Sequence, residues 1–236
     1  MAALVAATAA LGCTSEGGSA DRDTAPSSTS TTGSALSDPF PGIWPFTTQA
    51  EADAYARSGD ELYRDPVRTA REFMRQFIGM TAPVAGEFRA GDPQSGEVEV
   101  RPRKNSPFRT TVSVRRTGSG EPVWMVVAAA AERIQLVTPV ALDVIASPVL
   151  VSGRSSAFEG TVLAQVKEDG MGPGQFIGQE PFIGGSGPEL EPFQGRVPFQ
   201  APRRGAGAVV VLTESAEDGT VEQASAVRVR FERAAT

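Results

Sequence analysis

Between positions 67 and 78 apolar residues recur at helical spacing. Val67, Ala70, Phe73, Met74, Phe77 and Ile78 fall on one face, and Arg68, Arg71, Arg75 and Gln76 fall largely on the other. Asp65-Pro66 supplies an N-cap followed by proline at the first helical position, and Gly79 supplies a stop. Upstream, Thr48-Gln49-Ala50-Glu51 reads as a capping box that opens a shorter helix ended by Gly59. The stripe of Phe73, Met74 and Phe77 is core material, because an amphipathic helix buries such a face. After Gly79 the period changes from near four to two. Val98 and Val100 alternate with Glu97, Glu99 and Arg101, and Val112 and Val114 alternate with Thr111, Ser113 and Arg115. Residues 123–127 and 134–137 form more apolar runs, and Glu87-Phe88-Arg89 a weaker one. The pattern predicts helices packed on an antiparallel meander, with outward Glu99 and Arg115 paired across strands.

Beyond Pro139 no helical period returns. Short apolar runs at 142–145, 149–151, 158–166, 193–199, 209–212 and 226–231 are punctuated by Gly, Pro and Asp-Gly turn signals. Ser147-Pro148 opens one strand where the missing proline N–H does least harm, and Gly153 with Arg154, Ser155 and Ser156 is predicted to turn it. In the last strand Val227, Val229 and Phe231 share one face, and Arg228, Arg230 and Glu232 share the other. Glu159, beside Gly160, is read as a turn residue bonded to backbone N–H groups. The fold class expected is an α+β N-terminal domain, helices on an antiparallel sheet, followed by an all-β immunoglobulin-like sandwich. Residues 171–192 are a Gly/Pro-rich loop carrying Phe176, Ile177, Phe182 and Ile183, which become the candidate partner-contact residues.

The N-terminus reads differently from both halves. A short apolar run ends at Cys13, too short to cross a bilayer, which takes about 20 apolar residues. Ala10-Leu11-Gly12-Cys13 resembles the bacterial lipoprotein signal. That resemblance implies acylation of Cys13 and extracytoplasmic anchoring to the cell membrane; the bland alternative is a cysteine at the end of an Ala-rich run. Residues 14–40 are Ser/Thr/Gly/Ala-rich and hold too little apolar surface to offset their ordering entropy, so a tether is expected. The organisation expected is signal 1–13, tether 14–40, α+β domain 41–133 and sandwich 134–236. Phe40, Ile43, Trp44 and Phe46 form a proline-rich apolar entry expected to pack as irregular chain.

Composition narrows the chemistry. The chain has no histidine and one cysteine, which removes the usual triad base, an intrachain disulfide and any Cys-rich metal site. No cofactor or metal is expected. A net charge of −6 argues against a nucleic-acid partner, whose phosphates need a basic face. The one basic cluster is Arg101, Arg103, Lys104, Arg109, Arg115 and Arg116; its functional reading is contact with an anionic envelope polymer or lipid headgroups, but it lacks the interleaved aromatics of a stacking platform and reads as a solvated sheet face. Glu87, Asp92, Glu159 and Asp218 are acids without a spacing that pairs them for hydrolysis.

Several elements of the second half occur together in a distinctive order. They are Ser147-Pro148-Val149-Leu150-Val151-Ser152-Gly153, then Ala157-Phe158-Glu159-Gly160-Thr161-Val162, and later Phe193 with Gly195, Val197 and Phe199. This order, from Ile134 to Glu232, resembles the immunoglobulin-like domain of bacterial spore germination proteins. The resemblance implies a β-sandwich that accompanies other envelope modules and binds rather than catalyses; it does not imply sporulation. The function expected is therefore a non-catalytic binding or scaffolding module of the envelope, with an envelope protein or polymer as partner. The alternatives are a carrier holding a lipid or small apolar ligand in a cavity under Trp124 and Phe77 and, further off, a glycan hydrolase.

Overall fold

The computed structural model describes residues 40–118 and 120–232, and these belong to one compact unit. Cys13, the signal and residues 14–39 of the expected tether lie outside the described residues. The described chain is mostly antiparallel β-sheet with few helices.

Helix α1 (Gln49–Ser58) starts where expected: the Thr48 side chain accepts from the Glu51 N–H, and Gly59 closes it at φ 78°. The Glu51 carboxylate reaches back over this turn and accepts from the Thr47 N–H and hydroxyl. Helix α2 (Pro66–Phe73) is capped by Asp65, whose carboxylate accepts from the Val67 and Arg68 N–H groups. Its last turn, Met74–Ile78, widens to a π turn before Gly79 ends it at φ 97°. The widening keeps Phe73, Met74, Phe77 and Ile78 all buried, with Phe77 stacked on Phe73 at 5.2 Å.

Twelve strands follow among the described residues. The first four are β1 (Val84–Asp92), β2 (Ser95–Arg101), β3 (Thr110–Thr117) and β4 (Val123–Ala131), the predicted meander. Then come β5 (Ile134–Thr138), β6 (Val144–Ile145), β7 (Val149–Ser155) and β8 (Thr161–Glu168). The last are β9 (Gly178–Ile183), β10 (Glu191–Val197), β11 (Ala206–Glu214) and β12 (Val221–Phe231). The main sheet runs β1-β2-β3-β4-β12-β11-β8-β9, while β10, β7 and β5 pair in a second layer. The edge strand β1 breaks register twice, which hinders pairing with another chain.

Two cores share strands β11 and β12. On one side Val209, Val211, Val229 and Phe231 meet Val151 and Phe193 of the second layer, the sandwich core. On the other, Ala208, Val210, Leu212 and Ala226 meet Phe73, Phe77 and the valines of β2 and β3. Buried on both faces, β11 needs no polar alternation, and its run Ala-Gly-Ala-Val-Val-Val-Leu has none. The main sheet thus runs without a break across position 134.

Three local readings change. Gly153 does not turn the chain: β7 continues to Ser155, paired with β10 and β5. A Cβ at Gly153 would lie 2.2 Å from the Gln135 carbonyl oxygen and 2.7 Å from the Phe193 ring, so the glycine marks a close approach. Glu99 lies opposite Thr111 and Arg115 opposite Ser95; Glu99 pairs instead with Arg101 at 2.7 Å. The predicted loop 171–192 contains strand β9, whose proline and glycine content hid it.

Candidate binding surface

The apolar entry fixes the first wall of the surface. The Ile43 N–H donates to the Val126 carbonyl (2.8 Å), and the Val126 N–H donates to the Trp44 carbonyl (2.7 Å). This places Ile43 and Phe46 in the core and leaves the Trp44 indole partly exposed, edge-on to Tyr63 at 5.1 Å. Trp44, Pro45 and Thr47 form one side of an open cleft of about 610 Å³. Arg75 and Gln76, at the end of α2, form the second side, and the turn Gly170 to Pro173 after β8 forms the third. The cleft therefore takes its walls from both halves of the chain.

Its rim is electrostatically settled. Arg75 donates through Nε (2.8 Å) and Nη2 (2.5 Å) to one Glu72 carboxylate oxygen, which also accepts from Gln76. Burial works to raise the Glu72 pKa, but the hydrogen bonds from Gln76, Arg75 and Arg71 hold it below the ordinary glutamate range. The guanidinium of Arg75 is thereby kept in a fixed position beside the cleft.

Beneath the third wall lies Lys167, 1% exposed. Its ammonium donates to the carbonyls of Phe77 (3.0 Å) and Gly172 (2.7 Å) and stands 4.9 Å from the Phe77 ring centroid. The Phe77 carbonyl is one of the acceptors a helix end leaves without an intrahelical partner. Lys167 thus caps the helix and ties the cleft's turn to it. Desolvation lowers its pKa to about 8. The sign follows from linkage: between pH 8 and the unfolded value near 10.4, the unfolded chain holds a proton that the native state has released. The stability difference between wild type and Lys167→Met should therefore shift in favour of wild type by ~3 kcal/mol across that window. Urea midpoints of both proteins from pH 7 to 10.5 read this; a flat difference would refute it.

A second groove of about 460 Å³ opens on the far side of Thr47, lined by residues that include Phe40, Leu142, Asp169, Arg204, Arg228 and Arg230. Arg228, predicted to face outward with Arg230, is buried, and its guanidinium forks onto both Asp169 oxygens.

The candidate contact residues do not form one patch. Phe182 turns inward and stacks near Phe193 at 6.3 Å, and Ile177 packs against the sandwich core. Phe176 is 40% exposed and Ile183 73% exposed. From the same stretch it is Met171 and Pro173 that reach the cleft. Among the candidate acids, Asp92 accepts from Ser95 and Gln94, and Asp218 from Thr220. These bonds lower both pKa values and make the two residues turn locks. Glu159 is exposed at φ 55°. Trp124, 4% exposed, is covered by the Phe88 ring at 5.1 Å and by the Arg116 guanidinium at 5.1 Å, so side chains occupy the space proposed for a carried ligand. Trp44, Arg75 and Lys167 carry no local signal in the sequence, because their roles arise from contacts between distant segments.

Residues 133–220 match the family model described as the immunoglobulin-like domain of bacterial spore germination. This is the stretch that builds most of the sandwich, from the residue before β5 to the residue before β12. No curated protein and no solved structure matches the chain.

Proposed function

We propose that this chain is a non-catalytic binding or scaffolding module of the bacterial cell envelope, held extracytoplasmically at a membrane through acylated Cys13. In this reading the α+β half (41–133) and the immunoglobulin-like sandwich (134–236) present the Trp44 cleft to a segment of an envelope protein or polymer. The observation that carries it is the cleft itself. Its open shape, its mixed lining in which Thr47 and Gln76 stand among Trp44, Pro45, Met171 and Pro173, and the Arg75 guanidinium held by Glu72 suit recognition of an extended segment. Glu72, which holds Arg75 beside the cleft, and Lys167 beneath its third wall are engaged in structural bonds. The carrier reading has a filled core where it needs a cavity, and the hydrolase reading has Asp92 and Asp218 closing turns.

The test is photocrosslinking in intact cells from a probe at Gln76. It should give one discrete envelope adduct, lost with Trp44→Ala and absent from a probe at Val84 on the distant edge strand. No adduct, or turnover of a substrate by the purified protein, would overturn the binding reading. In the same cells Cys13→Ala should move the protein from the detergent phase to the aqueous phase; unchanged partitioning would remove the anchor.

A further inference from the structure

Four methionines lie among the described residues, and three of them are core. Met74, Met80 and Met125 are 0%, 1% and 3% exposed. Met171 is different: it is part-exposed and lines the Trp44 cleft, on the turn that forms the third wall. A thioether is oxidised where an oxidant in solution reaches its sulfur, so burial sets the order of reaction among the four.

The Met171 side chain is folded onto its own turn. Its N–H donates to the Glu168 carbonyl (3.1 Å), and its sulfur accepts from the Glu168 N–H at 3.3 Å. The residues that follow are held in place. The Lys167 ammonium donates to the Gly172 carbonyl, and the Gly172 N–H donates to the Gln175 side-chain carbonyl at 2.8 Å. Pro173 packs close to Gly79 at the helix end, where a Cβ on the glycine would lie 3.5 Å away. A thioether is a weak acceptor, and here it is the partner of a backbone N–H. An oxygen added to this sulfur has two places to go. If it takes over the Glu168 N–H, the sulfur and its methyl group are displaced toward the cleft. If it points into the cleft, an apolar part of the wall turns polar. Both outcomes alter the third wall, and the fixed turn keeps the change local.

We propose that Met171 is an oxidative modification site, at which a hydroperoxide turns the thioether into a sulfoxide and changes the third wall of the cleft. The sulfur lone pair takes one peroxide oxygen, and the O–O bond breaks. The departing hydroxide recovers the proton that the transferred oxygen carried, so one sulfoxide and one water form. Sulfur loses two electrons, and the peroxide gains them. The consequence for a partner rests on the binding reading above; the oxidation itself does not.

The experiment uses the full chain with Cys13→Ser, which removes the only thiol. Hydrogen peroxide is added, and peptide masses are followed in time. Met171 should gain one oxygen about tenfold or more faster than Met74, Met80 or Met125. In the oxidised, still folded protein the amide resonances of Glu168 and Met171 should shift, and Met171→Leu treated in the same way should show no such shift. In intact cells carrying the probe at Gln76, Met171→Gln sets a polar carbonyl group near the place of the sulfoxide. It should lower the adduct about fivefold or more, while Met171→Leu keeps it within about twofold. Equal oxidation rates at the four methionines, unmoved amide resonances after oxidation, or an undiminished adduct with Met171→Gln would overturn the proposal. If the wild-type probe gives no adduct at all, the binding reading fails, and the peptide masses and resonances still decide the oxidation.

Discussion

Val229→Asp should abolish the cooperative fold at 25 °C. Val229 is fully buried on β12, opposite Gly207 of β11, with its side chain in the sandwich core. Gly207 leaves no slack there, since a Cβ on it would sit 2.0 Å from the Lys167 carbonyl oxygen. The change forfeits ~1.5–3 kcal/mol of apolar burial. It also places a carboxyl group where no donor waits, adding several kcal/mol whether the group ionises or takes a proton at neutral pH. Against a total stability of ~5–15 kcal/mol, that sum is a large part of the whole. Because β12 is also buried on its other face, the damage should spread to the first core and remove the near-UV signal of Trp44 and Trp124 as well. Arg230→Ala, one position on and exposed, should leave the midpoint within ~1 kcal/mol. A Val229→Asp protein with a wild-type denaturation midpoint would show that the faces of β12 are assigned the wrong way round.

The same strand shows how far the sequence could be read. The alternation from Val227 to Phe231 identified the sandwich face correctly, because period two is a backbone property. It could not tell that the opposite face is also covered. Arg228 and Arg230 look alike in the sequence, yet Asp169 meets Arg228 from 59 positions away in a buried pair, and only Arg230 stays in water. Caps were the most legible features, since Thr48, Asp65, Gly59 and Gly79 act through bonds or dihedrals within a few residues. Gly153 was misread for a related reason: a glycine needed for close approach and a glycine needed for a turn are the same letter. Strand β9 was hidden by Gly178 and Pro181, residues tolerated because it lies at the end of the main sheet. The cleft was the least legible. Trp44, Arg75 and Met171 belong to three segments that only tertiary packing brings together, and of these only Met171 lies in a stretch whose sequence suggests a contact region.

Asp169→Ala should cost ~3–5 kcal/mol, and the three variants of its ion pair should differ in a fixed order. Asp169 follows β8 and Arg228 lies on β12, so the pair bridges over the start of β11, with the Asp169 N–H donating to the Ala206 carbonyl. Both side chains are nine-tenths or more buried. Removing the carboxylate strands a guanidinium that does not lose its proton at any accessible pH, so the full desolvation penalty remains. Arg228→Met is milder because the carboxyl left behind can take a proton. Burial already pushes the Asp169 pKa up against the pull of Arg228, and without the guanidinium it would rise further. A carboxyl raised in the native state favours folding below its unfolded pKa and loses that contribution as pH rises. Arg228→Met should therefore approach wild-type stability near pH 4 and fall away toward pH 7, while Asp169→Ala stays low at both. The double variant Asp169→Leu with Arg228→Met removes both charges and should recover to within ~1–2 kcal/mol of wild type, or exceed it. Urea midpoints of the three proteins at pH 4 and pH 7 decide the matter. If Asp169→Ala and Arg228→Met were equal and pH-independent, the two groups would be screened by water rather than buried as a pair.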